Sequence, residues 1–69
     1  MTQIDLLING EQRQLAAPLT VGSLLQQIDM ADKRVAVEVN REIVPRSQYD
    51  AYTLADNDQI EVVQAIGGG

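Results

Sequence analysis

The sequence predicts a small α+β domain in which one main helix packs on one face of a mixed sheet of about five strands. Apolar residues alternate with other residues at a period of two in segments near both ends and in the middle of the chain, which indicates strands with one buried face. One segment, residues 21–30, has apolar residues at helical spacing instead. A helix placed between an early hairpin and later strands favours a helix on one face of a mixed sheet.

The first predicted element is a hairpin. Residues 2–8 alternate apolar and other side chains, which indicates a strand. Asn9-Gly10 follows, and this pair is the strongest short hairpin signal because a type I′ turn needs positive φ at both central residues. Glu11–Ala16 returns as a second strand, so polar that we expect it at an edge of the sheet. We expect the last strand to lie parallel to the first, which lets one helix cover both.

The helix is predicted from Val21 to about Met30. Thr20 precedes it and is a favourable N-cap residue. Its apolar residues recur at i, i+3, i+4 and i+7, so they form one face: Val21, Leu24, Leu25 and Ile28. We expect Leu24, Leu25 and Ile28 to pack on the inward side chains of the sheet, which are Ile4, Leu6, Val37, Val39, Ile60 and Val62.

Two further strands are predicted in the middle of the chain. Val35–Val39 alternates valines with other residues and forms a third strand. Residues 40–42 then turn the chain into a short extended segment, Ile43-Val44. Pro45 ends this segment, and a proline at this place suits a strand end or an edge strand.

The last third of the chain contains a short connection and the final strand. Residues 46–50 fit a loop or a single helical turn, and we expect Tyr49 to cover the core. Residues 56–58 form a turn in which Asn57 is expected to have positive φ, because asparagine tolerates that conformation. Residues 60–63 then alternate again and form the final strand.

Two apolar residues are expected on the solvent side of the sheet. If Leu6 and Val62 point inward, Leu7 and Val63 point outward, since side chains alternate along a strand. On adjacent central strands these two residues share one face, and Ile66 lies where that face meets the end of the chain. An exposed apolar patch on a small acidic domain is a candidate partner-binding site, with isolated surface apolar residues as the alternative.

Composition argues against several classes of function. The net charge is −5 and the aromatic residues are two tyrosines, whereas nucleic-acid binding requires a basic surface. Histidine and cysteine are absent, which removes the commonest general base and the thiolate and imidazole metal ligands. We therefore expect neither an enzyme nor a metal site. At residues 56–58 a plain turn is favoured over a calcium loop, because the liganding glutamate and the loop length are missing.

No segment of the sequence predicts contact with a membrane. No apolar run approaches the length of about 20 residues needed to cross a bilayer. The first residues lack the basic and apolar regions of a signal peptide. We therefore expect a cytoplasmic protein with no membrane partner.

The chain closes with three glycines, Gly67, Gly68 and Gly69. Glycine has no Cβ, so such a segment is expected to be flexible and to fit close to another protein's backbone. On its own the segment fits a frayed terminus. Because the rest of the chain offers almost no other chemistry, we expect residues 1–66 to form a domain that presents a flexible tail, residues 67–69, and its carboxylate.

Three segments carry a specific pattern: residues 37–46 (VEVNREIVPR), residues 56–61 (DNDQIE) and residues 62–69 (VVQAIGGG). A Gly-Gly end alone is weak evidence, whereas an asparagine turn followed by Ile-Val-Pro-Arg, together with this terminus, is specific. The chain resembles the ubiquitin-like β-grasp sulfur carriers over essentially its whole length, and most closely the ThiS family of thiamine biosynthesis. Asn57 departs from the glycine that is usual in the family, but asparagine holds the same turn.

This resemblance implies a β-grasp fold and a sulfur carrier. In the family, an adenylating enzyme of the ubiquitin-activating type uses ATP and Mg²⁺ to adenylate the terminal carboxylate, which then becomes a thiocarboxylate. A sulfur donor such as a cysteine desulfurase supplies the sulfur, and thiazole synthase takes it for the thiazole ring of thiamine. By resemblance, Gly69 carries the sulfur, Gly67 and Gly68 lie in narrow channels of both partners, and the chain itself binds no cofactor.

Other functions of the same fold remain open at this point. The small subunit of molybdopterin synthase uses the same carboxyl chemistry, but its family tends to have prolines before a shorter Gly-Gly end, where this chain has Gln-Ala-Ile at residues 64–66. A ubiquitin-like modifier would form isopeptide-linked conjugates with lysines. A protein-binding β-grasp module would not depend on its terminus.

Overall fold

Residues 2–64 form five strands, one α-helix and one short 3₁₀ turn. A computed structural model describes residues 2–64 of the chain. Its elements are β1 (Gln3–Ile8), β2 (Glu11–Ala16), α1 (Val21–Gln27), β3 (Val35–Val39), β4 (Glu42–Val44), a 3₁₀ turn (Arg46–Gln48) and β5 (Gln59–Gln64). The predicted order of elements is confirmed, with strand ends that differ from the predictions by at most one residue.

All five strands belong to one mixed sheet in the order β2-β1-β5-β3-β4. The first and last strands lie side by side and parallel, with Leu7 opposite Gln59 and Ile8 opposite Ile60. Every other neighbouring pair is antiparallel. This arrangement confirms the predicted fold class, including the edge position of the polar strand β2.

The core lies between α1 and one face of the sheet. Its buried side chains are all apolar and come from every strand except β2, from the helix and from two connections: Ile4, Leu6, Ile8, Leu19, Val21, Leu24, Leu25, Val37, Val39, Val44, Leu54, Ile60 and Val62. All the predicted core residues belong to this cluster or pack against it. Ile28 is the one of them that is only partly buried.

The helix ends at Gln27 rather than near Met30, so it is shorter than predicted. Asp29 has φ of 63°, and its N–H donates to the carbonyl oxygen of Gln26 (3.2 Å). The N–H of Met30 donates to the carbonyl oxygen of Leu25 (2.7 Å). These two bonds form a Schellman motif, which closes the helix with one left-handed residue. Glycine is the usual residue at that position, so the aspartate gave no signal for the end of the helix.

Positive φ angles occur at the predicted turns and at one further turn. Asn9 and Gly10 have φ of 50° and 80°, and Asn57 has φ of 70°, as expected. Asn40 and Arg41 also have positive φ, at 51° and 70°. They form a two-residue connection between β3 and β4, so the predicted turn at residues 40–42 is one residue shorter and Glu42 already belongs to β4.

The connection between β4 and β5 covers one end of the core. Tyr49 packs against the core, and its hydroxyl donates to the carbonyl oxygen of Val35 (3.3 Å), which confirms its predicted covering position. Thr53 forms an isolated antiparallel bridge with Thr20, the N-cap residue of α1. The segment is therefore tied to both the sheet and the start of the helix.

Two sequence-based expectations concern residues at the limits of the described part. The predicted boundary between the domain and the tail, and the predicted flexibility of residues 67–69, lie outside residues 2–64. Within residues 2–64, no helix has the length and apolar character that spanning a membrane requires.

Candidate functional site: the open face of the sheet

The sheet has one face under α1 and one face that no helix covers within residues 2–64. Side chains alternate between the two faces, and the burial pattern along β1, β3 and β5 follows that alternation. We call the uncovered side of the three inner strands and β4 the open face. Its residues are Gln3, Asp5, Leu7, Ala36, Glu38, Ile43, Gln59, Glu61 and Val63.

Leu7 and Val63 both lie on the open face, as predicted, but they are not direct neighbours. Leu7 is opposite Gln59 on β5, whereas Val63 lies four residues further along that strand, opposite Ala36 of β3. At about 3.3 Å per residue, this offset is about 13 Å. The exposed fractions of Leu7 and Val63 are 36% and 58%. They therefore mark two ends of one surface rather than a continuous apolar patch.

Ile43 is the most exposed large apolar side chain among the described residues, at 74%. It lies on edge strand β4, opposite Glu38 of β3, and its neighbour Val44 is buried in the core. Sequence reasoning placed Ile43 in an extended segment but did not assign it to a face. Alternation along the strand could have predicted the outward position of Ile43, because an inward Val44 requires an outward Ile43.

Two carboxylates meet at the centre of the open face. Glu38 of β3 and Glu61 of β5 are directly opposite each other in the antiparallel register. Directly opposite side chains in such a pair have Cβ atoms about 4.5–5.5 Å apart, and like charges at this distance are destabilising. Within residues 2–64, neither carboxylate takes part in an ion pair; the ion pair found there joins Arg13 and Glu11 on β2.

A shallow depression runs across the open face beside these carboxylates. It is lined by Leu7, Gln59, Glu38, Glu61 and Arg41. Arg41 thus lines the same depression as the two carboxylates. The surface as a whole combines three separated apolar side chains with a net acidic centre.

Two asparagine side chains hold β5, the strand that carries Gln59, Glu61 and Val63 of this surface. Asn40 accepts a hydrogen bond from the N–H of Gln59 (3.0 Å) and donates to Asp58 (2.9 Å). Asn9 accepts from the N–H of Val62 (2.8 Å) and donates to the carbonyl oxygen of the same residue (3.2 Å). Both amides therefore fix the backbone of β5 at places where strand pairing alone does not.

The described residues contain no obvious catalytic constellation. No three His, Cys, Asp or Glu side chains within residues 2–64 lie close enough to hold a metal ion, and no polar side chain among them is buried. The remaining predicted site residues, Ile66, Gly67, Gly68 and Gly69, lie outside the described part of the chain.

The family model that matches this chain is that of the ThiS family, and it matches residues 6–69. The sulfur carrier protein ThiS of Escherichia coli is 39% identical over 66 residues, which are 96% of this chain and 100% of that protein. A thiazole synthase of Paramagnetospirillum magneticum is 47% identical over 66 residues. This match covers 96% of this chain but only 20% of that protein, so the chain spans about a fifth of that relative's length.

A solved structure supports the same family. The crystal structure of thiamine biosynthesis protein ThiS from Geobacter metallireducens superimposes with a TM-score of 0.83 and 35% sequence identity. The match covers 96% of this chain and all of that chain. The five-stranded mixed sheet with one helix is thus the ubiquitin-like β-grasp fold of that structure.

Proposed function

Because the chain belongs to the ThiS family, the sulfur carriers of thiamine biosynthesis, we propose that it carries sulfur as a thiocarboxylate on Gly69. The observation that carries this proposal is the extent of the match. The family model continues through the last glycine, and the Escherichia coli carrier is matched over its whole length. The resemblance to these carriers includes the three glycines at residues 67–69, which supports the terminal carboxylate as the proposed reacting group.

The proposed reaction begins with activation of the Gly69 carboxylate. A carboxylate oxygen attacks the α-phosphorus of ATP, and pyrophosphate leaves with its Mg²⁺. An adenylating enzyme of the ubiquitin-activating type binds both ATP and Mg²⁺, so the carrier itself binds no cofactor. The resulting acyl adenylate is a mixed anhydride, in which AMP is a good leaving group.

Sulfur enters in the second step. Sulfur at the oxidation level of sulfide, released with a reductant from a donor such as a cysteine desulfurase, attacks the acyl carbon and displaces AMP. The product is the Gly69 thiocarboxylate. Because the sequence contains no cysteine, sulfur has no competing attachment site on the carrier.

Thiazole synthase is the proposed acceptor of this sulfur. Two relatives named thiazole synthase, from Paramagnetospirillum magneticum and Magnetococcus marinus, contain a segment that is 47% and 45% identical to this chain. The segment is about a fifth of each protein. Two functions that share one polypeptide in relatives commonly act together, which supports thiazole synthase as a partner of this chain.

The open face is the proposed docking surface for the adenylating enzyme. Leu7, Ile43 and Val63 supply exposed apolar area on the strand system that leads to the terminal glycines. Glu38 and Glu61 supply negative charge at the centre of this area. The complementary partner surface is therefore apolar with a basic side chain at its centre, and the acidic net charge of the carrier accelerates the encounter with it.

The decisive test is ATP-dependent thiocarboxylate formation, followed by intact mass spectrometry. The protein is incubated with the cognate adenylating enzyme, ATP, Mg²⁺ and sulfide, and we expect replacement of one carboxyl oxygen by sulfur. Deletion of Gly69, or addition of one residue after it, is expected to abolish the mass change. Addition of one residue before Met1 is the matched control and is expected to have no effect.

A second pair of variants tests the path of the glycines. Gly68→Val is expected to block thiolation because a β-branched side chain has no room in a narrow channel, whereas Gly68→Ala is expected to retain part of the activity. If the chain extended after Gly69 is thiolated as well as the parent, the proposed function is wrong. Isopeptide-linked conjugates instead of a thiocarboxylate would identify a protein modifier.

A further inference from the structure

We infer that Asn9 is a positioning residue, whose side-chain amide anchors β5 at Val62 and so fixes the point from which the Gly69 carboxylate is presented. This inference rests on the proposed function. It concerns a residue of the hairpin turn that lies 60 positions before Gly69 in the sequence.

The parallel ladder between β1 and β5 is short. The N–H of Leu7 donates to the carbonyl oxygen of Asp58 (3.0 Å), and the N–H of Asn9 donates to that of Ile60 (2.9 Å). Continued at this spacing, the next bond would join the N–H of residue 11 to the carbonyl oxygen of Val62. Residue 11 instead begins β2, which turns back along β1. The backbone groups of Val62 that face β1 therefore have no backbone partner on that side.

The Asn9 side chain forms hydrogen bonds with both of these backbone groups of Val62. Its Oδ1 accepts from the N–H of Val62 (2.8 Å), and its Nδ2 donates to the carbonyl oxygen of Val62 (3.2 Å). A carboxamide has the same donor and acceptor groups as a peptide unit, so one side chain replaces one unit of the missing strand. Only asparagine matches this geometry and also tolerates the φ of 50° that the turn requires.

The location of this anchor links it to the presentation of the Gly69 carboxylate. Val62 is the last residue of β5 that is held from the β1 side within residues 2–64, and its neighbour Val63 belongs to the proposed docking face. Gly69 lies seven positions after Val62 in the sequence, and seven residues span at most about 25 Å. When Val62 is anchored, the segment that leads to Gly69 starts from a fixed point. When Val62 is released, it must be ordered again during docking, and this loss of entropy weakens binding.

The test uses substitutions that keep the turn. Asn9→Gly retains positive φ and removes both side-chain bonds, because glycine adopts this conformation readily. Asn9→Asp retains the bond from the Val62 N–H but places a second oxygen against the Val62 carbonyl. Asn57→Gly is the matched control, since Asn57 also has positive φ, at 70°, in a turn before β5 and makes no contact with Val62.

The first measurement is native-state hydrogen exchange of the Val62 amide. Loss of one ordinary hydrogen bond corresponds to a change in the opening equilibrium of about tenfold. We therefore expect the Val62 amide to exchange about tenfold faster in Asn9→Gly. The Val37 amide, on β3, and the whole Asn57→Gly control are expected to keep the parent rates after correction for global stability. Equal Val62 rates in parent and Asn9→Gly would overturn the anchor.

The second measurement separates positioning from a purely structural role. In the thiocarboxylate assay, we expect Asn9→Gly to raise the KM for the carrier about tenfold at nearly unchanged kcat, because ordering is lost before binding and not at the reacting atoms. Asn9→Asp is expected to raise the KM as Asn9→Gly does, because repulsion between the added oxygen and the Val62 carbonyl offsets the bond that it retains. If the parent is thiolated and Asn9→Gly has the KM of the Asn57→Gly control, the positioning role is wrong while the proposed function stands. A parent that is not thiolated refutes the proposed function and the positioning role with it.

Discussion

Replacement of the two most exposed apolar residues of the open face, Ile43→Ser with Val63→Ser, is expected to weaken binding to the adenylating enzyme without unfolding the carrier. Complete burial of such a side chain contributes about 1.5–3 kcal/mol. Ile43 and Val63 are 74% and 58% exposed, so these fractions remain available for burial in a complex. Scaling by them gives about 1.1–2.2 kcal/mol for Ile43 and about 0.9–1.7 kcal/mol for Val63.

The expected loss of affinity follows from these contributions. Together they amount to about 2–4 kcal/mol, and because about 1.4 kcal/mol is a factor of ten, the double variant should bind about 30- to 700-fold more weakly. Leu7 is 36% exposed and contributes about 0.5–1 kcal/mol by the same scaling. The exposed fractions thus predict a rank order of single variants, with Ile43 first, Val63 second and Leu7 last.

Isothermal titration calorimetry against the adenylating enzyme measures this loss, and urea denaturation checks the fold. Surface substitutions usually change the free energy of unfolding by less than about 0.5 kcal/mol, although lower strand propensity adds up to about 1 kcal/mol here. Gln26→Ser, on the exposed side of α1 away from the open face, is the matched control and should bind as the parent does. Parental affinity of the double variant, or a loss equalled by Gln26→Ser, would refute docking through the open face.

Three further predictions concern stability and charge. Leu25→Ala should lower the free energy of unfolding by about 2–5 kcal/mol in urea titration, because Leu25 is 3% exposed in the core; a loss below about 1 kcal/mol would contradict that packing. Thr20→Ala should cost about 1 kcal/mol, since the Thr20 hydroxyl accepts a hydrogen bond from the N–H of Ser23 (3.1 Å), and an unchanged urea midpoint would exclude that cap. Glu61→Lys, opposite Glu38, should stabilise the fold and weaken docking, as measured by urea titration and by calorimetry at low and high salt.

Local patterns predicted most of the fold. The alternation along β1, β3 and β5 assigned the buried and exposed faces, and the Asn9-Gly10 pair predicted the first turn. Both signals depend only on residues that are close in sequence. The end of α1 was predicted too late because Asp29 adopts a conformation in which glycine is the usual signal.

The functional surface was predicted less completely, because it depends on register between distant strands. The outward positions of Leu7 and Val63 follow from alternation within one strand each. The offset of four residues between them, and the meeting of Glu38 with Glu61, follow only from the pairing of β5 with β1 and β3. No pattern within β1, β3 or β5 alone contains the register between these strands.

The Asn9 anchor shows the same limit more sharply. Asn9 and Val62 are 53 positions apart in the sequence, and the sequence signal of Asn9 is fully explained by its turn. A residue with a sufficient local role gives no indication of a second, long-range one. Such a role becomes visible only when the bonds of each backbone group in β5 are accounted for.

The pairing of Glu38 with Glu61 has opposite effects on folding and on docking. In the free carrier the two carboxylates repel each other across the strands, and cross-strand pairs of this kind change stability by about 0.2–1 kcal/mol. A basic side chain of a partner placed between them turns this repulsion into two attractive contacts, whereas a second copy of the carrier brings two more negative charges. The same pair therefore disfavours self-association of an exposed apolar face and favours a basic partner. If Glu61→Lys stabilised the fold, the repulsion between the two carboxylates would be supported. If the same variant also strengthened docking, the partner surface would be acidic and not basic.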